Sequence, residues 1–157
     1  MIESQVIRGR PSAVVEGAVD VFRARATQLS LARVSTIPHV LDEIRPGLVR
    51  DGWECSAGKR SAQGVTIGRT SRDLVRGEAR HPTGVALWIE LGRSWTNYGF
   101  LQHTVEAAMI PEVSHAVLAV RHRWDGRVTY DRCLEFLLDV EDSAIDLPIE
   151  SMTLVGF

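Results

Sequence analysis

Between Ser12 and Leu31 the apolar residues Val14, Val15, Ala18, Val19, Phe22 and Ala26 recur at three- and four-residue spacing, the period of an amphipathic helix, and Ser12 is placed to cap it. A second helical period, Val40, Leu41, Ile44, Leu48 and Val49, begins after Thr36 and Pro38 and ends near Asp51 and Gly52. Pro46 lies inside it and predicts a bend or a split, because its ring removes one helix hydrogen bond. From Trp53 to Arg80 the helical period is lost. Gly58, Gly64, Gly68 and Gly77 punctuate this stretch, which reads as short strands joined by hairpin turns.

The run GVALWIEL, from Gly84 to Leu91, is apolar and rich in strand-forming residues. Its alternation sets Val85, Leu87 and Ile89 on one face and Ala86, Trp88 and Glu90 on the other. From Tyr98 to Ile110 the spacing of Leu101, Val105, Ala108 and Met109 predicts a helix that Pro111 stops. HAVLAV, from His115 to Val120, reads as a strand. A helix with Leu134, Leu137 and Leu138 on one face follows over Tyr130 to Val140, and MTLVGF, from Met152 to Phe157, reads as a final strand. This order implies an α/β fold with a sheet of partly parallel strands.

A length of 157 residues suits one domain. The expected division is N-terminal helices over residues 12–51, then a hairpin and core sheet over 53–157. A net charge of -2 removes any global argument for nucleic-acid affinity and leaves a local basic patch as the only electrostatic route to it. Seventeen of the 18 cations are arginine and Lys59 is the one lysine, so chemistry that needs lysine has a single candidate. Cys55 and Cys133 match no zinc or redox spacing and are expected to be reduced and structural. With no long apolar run and no signal-like start, the expectation is a cytoplasmic protein with no membrane partner.

Glu90 draws attention because a carboxylate inside so apolar a strand costs free energy unless it is paired. It can be a strand-end residue reaching solvent beside Gly92, a partner of Arg93, or a ligand to a cation. Upstream, Glu78 precedes the turn His81-Pro82-Thr83-Gly84, which can fold the chain back and bring Glu78 toward Glu90. Two oxygen donors on neighbouring strands are what a Mg²⁺ site for phosphodiester cleavage requires. In the element GRSWTN, Gly92 to Asn97, Arg93 can contact a phosphate and Thr96 or Asn97 can cap the next helix. Trp95 can serve the site or pack in the core. Glu43, on the second helix, reads by itself as a solvated side chain. Arg50, Lys59, Arg60, Arg69, Arg72, Arg76 and Arg80 surround the hairpin region, opposed by Asp51, Glu54, Asp73 and Glu78, and offer a surface that can follow a DNA backbone.

The stretches HPTGVALWIELGRSWTNYGFLQHTVEAAMIPEVSHAVLAVRHRW and YDRCLEFLLDVEDSAIDLPIESMTLVGF resemble small bacterial proteins with the BamHI/BglII type of restriction-endonuclease fold, over about half the chain. The resemblance implies a restriction-endonuclease-like core, a mixed central sheet flanked by helices, and Mg²⁺-dependent cleavage of DNA. Glu78 matches the first metal carboxylate of that group and Glu90 the second acid of its Glu-Ile-Glu strand. Glu43 resembles the helical acid, while Arg93, Trp95 and Asn97 belong to the substrate-binding element. The departure is Trp88, which stands where the group has the first acid of the pair; an indole offers no oxygen to a metal. Two readings follow: a metal-dependent DNA phosphodiesterase with impaired activity, or an inactive nuclease-fold protein that binds DNA or a protein partner. A homodimer is compatible with either.

Overall fold

In the computed structural model, residues 1–31, 36–56, 62–67, 70–75, 77–92, 99–124, 126–143 and 145–157 are described, with only the backbone described over 62–67 and 70–75. Strand β1 (Glu3–Arg8) is followed by helices α1 (Ala13–Ala24), α2 (Ala26–Leu29) and α3 (Ile37–Arg50). Four short strands come next: β2 (Glu54–Cys55), β3 (Ala62–Ile67), β4 (Thr70–Val75) and β5 (Ala79–His81). The second half runs β6 (Val85–Glu90), α4 (Gly99–Met109), β7 (His115–Val120), β8 (Arg123–Trp124), β9 (Arg127–Val128), α5 (Tyr130–Asp142) and β10 (Ser151–Gly156).

The main sheet has six strands in the order β1-β10-β7-β6-β5-β2. Strands β6, β7 and β10 are parallel neighbours, joined by the crossover helices α4 and α5, while β1 and β5 pair antiparallel at their flanks. The chain is therefore α/β with a mixed central sheet, as the alternation of strand and helix periods predicts. The pleat divides the core in two. Val85, Leu87, Ile89, Val117, Ala119 and Val155 face α1 to α3, and Ala86, Trp88, Ala116, Leu118, Val120, Met152 and Leu154 face α4 and α5. β3 and β4 form a separate antiparallel ribbon, and β8 and β9 a small hairpin.

Several expectations need correction. The first helix is not continuous from Ser12 to Leu31 but breaks at Arg25 between α1 and α2, although Ser12 does accept a hydrogen bond from the Val15 amide at its start. Pro46 does not split α3, which runs unbroken to Arg50 because Val40, Leu41, Ile44 and Leu48 bury one continuous stripe on both sides of it. Strand β1, with its polar ESQVIR sequence, was not expected at all. It takes strand form by pairing with β10, with an irregularity in register between Val6 and Arg8. No helix among the described residues is long and apolar enough to cross a membrane.

Candidate functional site

Glu78 and Glu90 come to the same end of adjacent antiparallel strands. Ala79 pairs with Leu87 in the β5–β6 ladder, so Glu78 lies one step beyond it toward the carboxyl end of β6, where Glu90 closes the strand. Gly77 makes this approach feasible. Its φ is +86°, in the left-handed region, and a Cβ there would lie 2.5 Å from the Leu87 carbonyl oxygen. The Glu78 amide donates to that same carbonyl at 2.8 Å. The Glu78 side chain then turns inward, 7% exposed, and its Oε2 accepts from the Ile89 amide at 2.8 Å. It thereby satisfies an N–H of β6 beyond the end of the β5 ladder.

Glu90 faces α4. Its Oε1 lies 2.6 Å from Nε2 of His103, and Nδ1 of the same ring lies 2.9 Å from Oε2 of Glu106. The other oxygen of Glu106 accepts from Gln102 at 2.8 Å. Gly99 leaves the room that the Glu90 carboxylate occupies, since a Cβ on it would lie 2.8 Å from Oε1. His103 and Glu106 are buried. Each ring nitrogen lies within hydrogen-bond distance of a carboxylate oxygen, a pair of contacts that suits two N–H donors, the imidazolium form. Burial lowers the pKa of His103, but the hydrogen bonds and charges of Glu106 and Glu90 outweigh it and push the value up to about 9.

Trp88 lies on the α4-facing side of β6, in the core cluster that holds Phe100 and Ala107 of that helix. It is 0% exposed and pairs in register with Leu118. Its ring stacks on His103 with centroids 6.1 Å apart and planes 26° apart, a geometry in which the indole face meets the cation. Glu43 is half-buried on α3. That helix is tied to the Glu78 end of the sheet through Arg45, which donates to the Ser56 carbonyl at 3.1 Å, and Ser56, whose amide donates to the Glu78 carbonyl at 2.8 Å. Arg93, Trp95, Thr96 and Asn97 lie outside the described residues, as do Lys59, Arg60, Arg69 and Arg76. Of the remaining cations around the hairpin, Arg50 is held by Asp51 at 3.0 Å and Arg80 by Glu54 at 2.7 Å.

The described donors do not form the oxygen-rich octahedron that Mg²⁺ demands. One oxygen of Glu78 serves the Ile89 amide, one of Glu90 faces an imidazolium, and Trp88 contributes none. The arrangement is suited instead to holding charge in place, with the buried His103 ring between two carboxylates. His103 and Glu106 are the site residues that the sequence reading missed. The α4 face chosen there, Leu101, Val105, Ala108 and Met109, is rotated from the one that the structure buries, which holds Phe100, His103, Thr104, Glu106 and Ala107, while Val105 is 45% exposed. The available signal was the three-residue spacing of His103 and Glu106 beside an unexplained strand carboxylate. Comparison with protein-family models and with characterised proteins finds no match to this chain.

Proposed function

We propose that the chain is a restriction-endonuclease-like protein that binds duplex DNA without cutting it. The observation that carries this reading is Trp88. A fully buried indole occupies the strand position where the resembling group carries a metal carboxylate, and it is packed as core, in the cluster that contains Phe100, Leu118 and Met152. Support for DNA comes from the β3–β4 ribbon, six residue pairs long and outside the main sheet. Residues 59–76 carry Lys59, Arg60, Arg69, Arg72 and Arg76 against Asp73 alone. A two-stranded ribbon is one of the shapes that the major groove admits, and clustered cations displace counterions from phosphate.

The test is a titration of duplex DNA at several salt concentrations. If all five cations meet phosphates, log K should fall with log[salt] with a slope of about -4.5. Arg72→Glu should weaken binding at every salt concentration without unfolding the protein. Absence of binding at low salt would remove DNA as the partner. A second reading keeps Mg²⁺-dependent cleavage, with Glu78 and Glu90 as ligands, Glu43 supporting them and Arg93 holding a phosphate. One feature favours it: the Glu78 carboxylate is bonded to the residue next to Glu90.

A further inference from the structure

In a metal-dependent nuclease a divalent ion neutralises the carboxylates gathered at the end of the active-site strand. Here Glu90 and Glu106 are gathered around a side chain, and among the described residues no further Asp, Glu, His or Cys joins them in a metal-holding group. We infer that His103, as an imidazolium, is the resident counter-cation of the Glu90–Glu106 pair and takes the place that a divalent ion has in a metal-dependent centre. Three observations carry this. Both ring nitrogens lie within hydrogen-bond distance of carboxylate oxygens, at 2.6 and 2.9 Å. The three side chains are shielded from water, with side-chain exposures of 17% for Glu90, 7% for His103 and 4% for Glu106, so the two negative charges cannot rely on solvent. The Trp88 ring stacks on the His103 ring with centroids 6.1 Å apart, so its π face adds to the stabilisation of a cation there.

The arrangement also explains how Trp88 and Glu90 coexist on one strand face. Where the resembling group has two acids and a metal, this chain has an indole, one acid and a built-in cation, and the charge at the strand end stays compensated. The inference concerns ion dependence and not DNA, so it stands or falls separately from the binding proposed above.

It predicts that the wild-type protein is indifferent to divalent ions and that removing the imidazolium makes it dependent on them. His103→Ala leaves two buried carboxylates facing a space the size of a ring, a setting that a Mn²⁺ or Mg²⁺ ion with a few waters can fill. Thermal unfolding of wild type, His103→Ala and His103→Ala/Glu106→Gln is followed in metal-free buffer, in MnCl₂, in MgCl₂, and in NaCl of equal ionic strength. The wild type should show no shift beyond that of NaCl. His103→Ala should unfold at a lower temperature in metal-free buffer and regain roughly 5–10 °C in Mn²⁺ at about a hundredfold excess over its Kd. The double variant should not respond. A saturable Mn²⁺ or Mg²⁺ stabilisation of the wild type that Glu90→Gln abolishes would overturn the inference, and so would a folded His103→Ala that gains nothing from either ion. If His103→Ala does not fold, ¹⁵N spectra of the wild-type histidines at neutral pH decide. Two protonated ring nitrogens on His103 support the inference and a neutral tautomer overturns it.

Discussion

A histidine clamped between two carboxylates should make stability fall as the solution becomes alkaline. The folded-state pKa of His103, about 9, lies above its unfolded value of 6.5. The sign follows: its contribution is fully present below pH 6.5 and is lost as pH rises through about 9, and the separation corresponds to about 3 kcal/mol. Denaturant unfolding between about pH 6 and pH 10 should therefore show a decline in the wild type that is absent from His103→Gln. Equal pH profiles for the two proteins would remove the charge pairing from the account. Trp88, stacked on that ring, is fully buried, and Trp88→Ala should cost about 3–5 kcal/mol by emptying a core position. A loss below about 1 kcal/mol would show that the indole is not the core element described here.

Helices α1 and α3 approach closely at Gly47, where an added Cβ would lie 2.8 Å from Cγ1 of Val21. Gly47→Ala gains up to about 1 kcal/mol in helix propensity, but the clash should dominate and leave a net loss of about 1–2 kcal/mol. Val21→Ala in the same protein should recover part of it, and a net gain from Gly47→Ala alone would show that α1 is free to move away. Elements built on strong periodicity were legible in the sequence: GVALWIEL, HAVLAV and MTLVGF are the three parallel strands, and Thr36 and Pro38 mark the start of α3. Those whose burial follows from charge pairing or from long-range strand partners were not. The α4 face was misread because His103 and Glu106 are polar, and they are inside only because Glu90, thirteen residues before His103, pairs with the ring. Likewise ESQVIR is a strand only because β10, at the far end of the chain, supplies its partner. The pairing of Glu78 with the β6 end was anticipated from the His81-Pro82 turn, but its partner there is the Ile89 amide.

At the scale of the whole molecule, the mixed sheet brings Glu78 and Glu90 to one end and hands them to different tasks, one to a backbone amide and the other to an imidazolium. The β3–β4 ribbon stands outside that sheet, so the DNA contact proposed for it and the arrangement at the strand end can be tested separately. Trp88→Glu bears on this separation. Placed in the core beside Glu90, the new carboxylate should destabilise the protein by several kcal/mol and should not restore cutting. The most direct measurement is incubation of the wild-type protein with supercoiled and linear duplex DNA in Mg²⁺ and in Mn²⁺, with binding and strand breakage followed on the same samples. The account predicts retarded but intact DNA with either ion; nicking or cutting that disappears in Glu90→Gln would contradict it.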